Sequence, residues 1–399
     1  MNQTFWEKMR RVKFADLFHI FLFLSAIPFA LIFRCRRKHL WLICEYGHEA
    51  RDNAFYLYKY LRQNCPDIDA VYAIKKKSKD YNKLNALGET IEYGSWRHWV
   101  YYLAAEVNIS TQKGGKPNAA ICYALEISGL LKNQRVFLQH GVTKDDLPFL
   151  YYKNTKMRLF VCAAQPEYQF ICNTFGYPKG HVQYLGFCRF DALHHCMVNK
   201  HLLLIAPTWR QGLYSLHRPS SERHQNFKVS DYCLYWNDLL NDTEFHQLLH
   251  KYQIQVIFCP HRNMQMFFED FFCSDSSITI TRWETTDITA IIHSAAMVIT
   301  DFSSIFMDFA YMKRPVLYYQ FDYENFRKEH LPEGYFNYQT DGFGPVCHTK
   351  KDLVKELENI LRNDLKMAPC YLKRQQSFFP LYDDKNCERT YKAIKQILN

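Results

Sequence analysis

The chain has 399 residues, which at roughly 100–200 residues per domain suggests two or three domains. A hydrophobic share of 48% excludes disorder as the main state, since disordered chains lack this much apolar mass. The net charge of +10 points to an anionic partner, whether membrane surface, nucleic acid or phosphate-rich substrate, without choosing among them.

The 14 cysteines contain no Cys-x-x-Cys pair, so there is no zinc-ribbon spacing. In a chain with a core this large they read as reduced thiols buried as small hydrophobes, not as a disulfide scaffold.

The first unusual segment is Phe14 to Phe33, FADLFHIFLFLSAIPFALIF. It reaches the roughly 20 residues of a membrane span. Asp16 and His19 lie near its start and Pro28 interrupts it. Lys8, Arg10, Arg11 and Lys13 precede it; Arg34, Arg36, Arg37 and Lys38 follow it. Cations on both flanks give the positive-inside rule nothing to decide. They suit a monotopic or re-entrant anchor on the cytoplasmic side. A true span and a buried core helix stay open. A cleaved signal peptide is less apt, because no clear small-x-small site follows.

From His39 the chain alternates between short apolar runs and helical spacing. Residues 39–47, 70–76, 107–111, 135–141, 158–164 and 181–186 read as strands, with helical or loop partners between them. The alternation restarts after a polar stretch at 194–200. Strands are expected at 201–210, 255–262, 278–282, 297–300 and 315–320. Residues 211–230 read as a surface loop, 231–251 as helical, and helices close the chain near 350–363 and 384–398.

Alternation of this kind predicts parallel sheets with crossover helices. The division that follows is a membrane-associating segment at 1–38, an N-terminal domain at 39–198 and a C-terminal domain at 199–399. The last helix is able to pack back on the N-terminal domain. Ligands of doubly wound sheets sit beyond the carboxyl ends of the strands, so polar residues just after strands become the candidates.

Four places meet that condition. In VFLQHGV, a strand delivers His140, suited to general-base work near neutral pH, followed by Gly141. In IAPTWR, Thr208 and Arg210 offer a hydroxyl and a guanidinium suited to phosphate oxygens. In VIFCPHR, His261 and Arg262 follow a buried strand. In VITDFSSIFMDFA, Thr300 and Asp301 end a strand, and Ser303 and Ser304 open a helix that contains Asp308. Serine at a helix start caps free N–H groups, and the same groups attract phosphate. Each place also has a plainer reading: a loop hydrogen bond for His140, surface arginines, and simple capping by one serine. No metal-ligand spacing occurs among these residues, and neither a Walker loop nor a dinucleotide fingerprint is present.

Taken together the motifs resemble a family. Gln139-His140-Gly141, Ala206-Pro207-Thr208-Trp209-Arg210, Pro260-His261 and Thr300-Asp301-Phe302-Ser303-Ser304 through Asp308-Phe309 occur in the order seen in the CDP-glycerol glycerophosphotransferase family. Arg314-Pro315-Val316, Gln320-Phe321-Asp322, Gly334-Tyr335-Phe336 and Gly342-Phe343-Gly344-Pro345 continue it.

The resemblance implies a GT-B-like α/β fold of two facing Rossmann-like domains, the N-terminal one on the acceptor side and the C-terminal one binding the CDP donor. It implies attack by an acceptor hydroxyl on the β-phosphate of CDP-glycerol or CDP-ribitol, with CMP leaving, in teichoic acid or surface-polymer synthesis. On that basis His140 is the general base. Arg210 and His261, with Thr208 and Arg262 beside them, face the diphosphate. Thr300, Ser303 and Ser304 hold phosphate oxygens, and Asp301 and Asp308 order the site or the donor.

The implied acceptor is lipid-linked or polymeric and the implied place is the cytoplasmic face of the membrane. No resident cofactor is expected, and dependence on a divalent metal is left open. The chain departs from the frequent H-G-T-P-x-K pattern, with Val142, Thr143 and Lys144 after His140-Gly141.

The alternative is a GT-B nucleotide-sugar glycosyltransferase or epimerase. A nucleic-acid binder is disfavoured: from residue 39 the cations are interspersed with acids, except at Lys75–Lys77 with Lys79 close by, and no nucleic-acid motif occurs.

Overall fold

The computed structural model describes residues 14–214, 220–329 and 332–398; Lys8, Arg10, Arg11 and Lys13 lie outside them. The chain divides into two compact units. The first holds residues 1–140, 148–191 and 383–399, and the second holds 141–147 and 192–382. The units therefore interleave in sequence, unlike the contiguous 39–198 and 199–399 division. The peptide just after His140 joins the second unit, and the last helix joins the first.

The first unit is built on an all-parallel sheet in the order β3-β2-β1-β4-β5-β6-β7. Its strands are β1 (Leu40–Cys44), β2 (Asp69–Ile74), β3 (Thr90–Glu92), β4 (Val107–Ser110), β5 (Gln134–Phe137), β6 (Leu159–Cys162) and β7 (Val182–Tyr184). Central strand β1, LWLIC, is buried at every position, as a sheet covered on both faces requires.

The helices used below are α1 (Phe14–Arg36), α2 (Asn53–Asn64), α3 (Trp96–Ala104), α4 (Ala119–Ser128) and α5 (Gln165–Thr174). The second unit repeats the plan with β10-β9-β8-β11-β12-β13: β8 (Asn199–Ile205), β9 (Gln255–Phe258), β10 (Ile278–Ile280), β11 (Ala295–Thr300), β12 (Val316–Tyr319) and β13 (Val346–Cys347). Its helices here are α6 (Ser220–Lys228), α7 (Asp231–Leu240), α8 (Thr243–Lys251), α9 (Phe306–Tyr311), α10 (Tyr323–Glu329), α11 (Lys350–Arg362) and α12 (Pro369–Phe378); α13 (Asn386–Leu398) closes the chain. Both sheets reverse strand order beside the first strand, the topology that opens a crevice at the strands' carboxyl ends.

Helix α1 packs along the first unit. Ala26 and Ala30 are buried and let it approach α3 closely. Phe23 meets Trp99 (5.3 Å), Phe29 meets Trp96 (5.0 Å) and Phe33 meets Tyr101 (4.7 Å). Trp99 Nε1 donates to His19 Nδ1 (3.1 Å) and Trp96 Nε1 to Ser25 Oγ (3.2 Å). The other side, including Phe21 at 67% and Leu31 at 65% exposure, is an open apolar face. Arg37, one of the flanking cations, is turned inward: it pairs with Asp69 and, at 3.0 Å, with Glu89.

Helix α13 is tied to the same unit. Asp191 Oδ1 accepts from Asn386 N (2.8 Å) and Asp191 Oδ2 from Cys387 N (2.9 Å), and Tyr391 lies against Trp41.

Three local differences from the sequence reading stand out. Residues 220–228, expected as loop, form polar α6, anchored by Phe227 stacked on Phe267 at 4.2 Å. The helical stretch 231–251 is two helices, because Asp242 caps α8 by accepting from Phe245 N. Helix α12, which begins on Pro369, was not foreseen.

Candidate active site

Unit one presents His140 three residues beyond β5, with its side chain exposed. The turn that aims it is made by Gln139, whose φ of 57° is uncommon for a residue with a side chain. Hydrogen bonds hold it there. Gln139 Nε2 donates to Val161 O (2.7 Å) and Glu167 Oε1 (3.0 Å). Asn53 Nδ2 donates to the carbonyls of Gln139 (2.7 Å) and Leu138 (3.3 Å). Asn53 is fully buried on α2, and its Oδ1 accepts from Arg189 N (3.0 Å). Glu167 is fixed in turn by Ala163 N (2.8 Å) at the start of α5.

Sequence reasoning missed Asn53 and Glu167. The available signal was a polar residue on the apolar face of a helix, and an acid in a first helical turn after a strand. It also missed Glu45, just after β1. Full burial, helped by Asp52, pushes its carboxyl up to about 8, against the N–H groups of Arg51, Asp52 and Phe55 that it accepts.

In unit two the parallel sheet places the ends of β9, β8, β11 and β12 side by side. This brings together the loops that carry His261, Thr208, Thr300–Ser304 and Asp322. Their roles divide.

Arg210 is buried, and its donors are committed inside the protein. Nε reaches Asp322 Oδ2 (2.7 Å), Nη2 reaches Asp322 Oδ1 (2.9 Å), and Nη1 donates to Thr208 O (3.0 Å). Nη2 also lies 2.8 Å from Asp301 Oδ2, outside hydrogen-bond alignment. The rings of Tyr232, Phe302 and Phe326 surround the guanidinium at 4.9–5.2 Å. Burial opposes its charge, but Asp301 and Asp322 raise its pKa above the ordinary arginine value. Arg210 is thus held as a framework residue, its guanidinium enclosed by carboxylates and rings.

Asp301 is fully buried, which raises its carboxyl above the usual range although Arg210 pulls it down. It accepts from Thr208 N (2.7 Å) and Phe302 N (2.5 Å), so it ties the β8 loop to the β11 loop. Thr300, expected at a phosphate, is also fully buried, and its Oγ1 donates to Ala206 O (2.7 Å). Asp308 is buried within α9.

Ser303 and Ser304 are partly exposed, and Thr208 is buried beside them. Their hydroxyls make no hydrogen bond among the described residues. The two serines do not open the helix: α9 starts at Phe306, and they sit in the turn before it. Gly141 lies against this turn. A Cβ there would stand 2.9 Å from Ser304 Oγ, so the glycine keeps the serine's place clear. His261 is half-buried, Nδ1 accepts from Asn263 N (3.1 Å), and its ring lies near-parallel to Trp209 at 6.3 Å. In the neutral form Nε2 then carries the proton. Arg262 is exposed.

Lys144, at the departure from the H-G-T-P-x-K pattern, is buried against Asp145. Asp145 in turn accepts from Arg327 Nη1 (2.7 Å) on α10. Burial lowers the Lys144 pKa, with Asp145 opposing. Among the described residues no group of three or more His, Cys, Asp or Glu is arranged to hold a metal ion.

The later motif residues serve packing. Phe336 and Phe343 meet Phe306 (5.3 and 6.1 Å) and Phe378 (5.8 and 5.1 Å). Gly344 presses on the Val316 carbonyl, where a Cβ would stand 1.7 Å away.

Two parallel-sheet α/β units with phosphate-suited groups at the strand ends define a GT-B-like protein. Solved structures bear out that class. The wall teichoic acid polymerase TagF aligns with a TM-score of 0.62 at 15% identity, over 90% of this chain and 89% of that one. A putative UDP-N-acetylglucosamine 2-epimerase from Listeria monocytogenes aligns with 0.56 at 11%, over 90% and 96%. At such identities the likeness is one of fold.

The chain belongs to the CDP-Glycerol:Poly(glycerophosphate) glycerophosphotransferase family, whose profile matches residues 25–396. It is 32% identical over 369 residues to the minor teichoic acid biosynthesis protein GgaB of Bacillus subtilis (strain 168), a match covering 91% of this chain and 40% of that protein. It is 33% identical over 97 residues to the teichoic acid poly(glycerol phosphate) polymerase of the same strain, 24% of this chain and 12% of that one. The chain thus spans well under half the length of these relatives.

Proposed function

We propose that the protein transfers an alditol phosphate, glycerol phosphate or ribitol phosphate, from its CDP ester to a hydroxyl of a teichoic acid or related surface polymer. The supporting observation is that one family member carries both an exposed strand-end histidine and a turn of uncommitted hydroxyls. In this reading His140 takes the proton from the acceptor hydroxyl. The oxygen attacks the β-phosphorus, the bond to the α-phosphate oxygen breaks, and CMP leaves with its electrons. Ser303, Ser304 and Thr208 donate to the phosphate oxygens, with His261 Nε2 and Arg262 on the next loop. Fixed donors of this kind stabilise charge in phosphoryl transfer without covalent chemistry. Asp301 and Arg210 act beneath them as positioning residues.

The test is a panel of CDP-glycerol, CDP-ribitol and UDP-sugars with oligomeric glycerol phosphate and with lipid-linked acceptors. CMP release from a CDP-alditol is expected. UDP release, or sugar epimerisation with no CMP, would replace this reading by the nucleotide-sugar one.

The same reading places the protein on the cytoplasmic membrane surface through α1. This helix is 23 residues long and long enough to cross a bilayer. It is nevertheless tied to its own unit from His19 to Arg37, and a span needs about 20 residues clear of the domain. A helix docked along its length, with one apolar face open, lies in a single leaflet. Phe21→Glu with Leu24→Glu is expected to abolish vesicle binding while leaving the fold intact. Retained binding would sink the docking.

A further inference from the structure

A recess lies at the opposite end of the first unit from His140, at the amino ends of β5 and β6. It has a volume of about 300 Å³ and is lined in part by Glu126, Asn133, Arg135, Tyr152, Lys156 and Arg158. That volume is at the small end for ligand sites, the scale of a headgroup.

The charge is unbalanced in a specific way. Glu126 is the acid of the wall, and its carboxylate is already satisfied. Oε2 lies 2.6 Å from both Lys116 Nζ and Arg135 Nη1, and Oε1 accepts from Tyr102 OH (2.7 Å). Lys156 and Arg158 have no acid beside them. Lys156 Nζ stands 4.7 Å over the Tyr152 ring, and the Arg158 guanidinium makes no hydrogen bond or ion pair among the described residues. One polar atom of the wall, Asn133 Oδ1, is buried without a hydrogen bond, whereas Arg135 Nη1 is held by its ion pair with Glu126. Asn133 Nδ2 already donates to Tyr102 O (2.8 Å), so Oδ1 is left as an acceptor. Cations suited to a phosphate beside an acceptor suited to a hydroxyl describe the receptor of a polyol phosphodiester.

The location selects the source. Leu131 lines the recess and also packs in the apolar cluster that holds Leu22, Phe23 and Phe33 of α1. The recess therefore adjoins the helix whose open face meets lipid. We infer that it binds the phosphate headgroup of an anionic, hydroxyl-bearing membrane lipid of the phosphatidylglycerol type, and so sets the depth and orientation of the unit on the membrane. This rests on the α1 docking proposed above.

The experiment is flotation of the full chain with phosphatidylcholine vesicles and with vesicles containing phosphatidylglycerol. It compares the wild type, the pair Lys156→Ala with Arg158→Ala, and a control of equal charge loss, Lys351→Ala with Lys355→Ala, on exposed positions of α11. The recess pair is expected to lose roughly ten- to thirtyfold of the preference for phosphatidylglycerol. It should keep phosphatidylcholine binding, its thermal midpoint and its basal turnover with a soluble acceptor. The control should behave as wild type.

A recess pair that binds like wild type, or a control that loses as much, overturns the inference. So does saturation of the recess by micromolar glycerol 3-phosphate in the absence of vesicles, which would assign the site to a soluble phosphate ester. Wild type that binds neither vesicle sinks the α1 docking as well. Binding to both vesicles with no preference sinks the recess alone.

Discussion

Beneath His140 lies a lattice of amides and one carboxylate, whereas beneath Ser303 and Ser304 lies a buried ion-pair network. In the first, Asn53, Gln139 and Glu167 hold a left-handed turn through short hydrogen bonds. In the second, Arg210 binds Asp322 and lies against Asp301, inside a ring of aromatic side chains. The contrast fits the roles proposed for the two loops. A base needs its backbone aimed and its ring left accessible. A group of phosphate donors needs several loops fixed to one another, and Asp301 does this by joining the β8 and β11 loops. In both loops the residues with the strongest charge or burial are framework, and the proposed chemistry is assigned to the modest side chains above them.

Substitutions can break this comparison, beginning with the largest expected effect. His140→Ala should lower kcat by about 10²–10⁴-fold with donor affinity kept, measured by CMP release and by donor titration. Retained turnover would remove the base assignment. Arg210→Ala should cost about 3–5 kcal/mol, because it strands two carboxylates beside apolar rings. Chemical denaturation reads this, and an unchanged midpoint with only a raised donor KM would return Arg210 to the ligand.

A pH effect in the first unit comes next. Burial, with His19 adding to it, lowers the His98 pKa to about 3. Unfolded histidine binds its proton near pH 6.5, so the unfolded state holds more protons between these values. Stability should therefore fall as pH drops from about 6.5 toward 3, by up to about 1.4 kcal/mol per unit. His98→Phe should flatten that slope, and an equal slope in the variant would remove the effect.

Gln139→Ala keeps the strained turn without its amide and should cost about 1–3 kcal/mol, with a loss of kcat larger than any change in KM. Ser304→Ala is the mildest: about a 3–10-fold weaker donor, with stability unchanged. Equal losses of stability in the last two variants would erase the distinction between aiming the base and holding the phosphate.

Much of this was legible in the residues. Short β-rich runs separated by helical spacing identified most strands of both sheets, because a strand covered on two faces reads as a continuous apolar run. Strand-end loops followed from the parallel topology alone. The family motifs were legible too, but as one list in which Phe343, Gly344, Arg210 and Ser304 looked alike.

Helix α6 was hidden because only Phe227 is buried on it. Helix α12 was hidden because its packing residue Phe378 meets Phe336 and Phe343, distant in sequence. The fate of Arg37 was equally hidden: its partners Asp69 and Glu89 lie 32 and 52 residues away.

The sequence by itself determined the two α/β units, the apolar leading helix, and the stretches from which the chemistry is drawn, since periodicity and strand-end position are local properties. Tertiary structure alone decided which polar groups in those stretches are already satisfied. Arg210, Asp301 and Thr300 carry the chemical character of ligand contacts, yet they are closed off by partners that come from other strands of the same sheet. Only a fold that places β8, β11 and β12 side by side can pair those residues. The same fold leaves the hydroxyls of Ser303, Ser304 and Thr208 uncommitted among the described residues, although the Thr208 N–H is taken by Asp301.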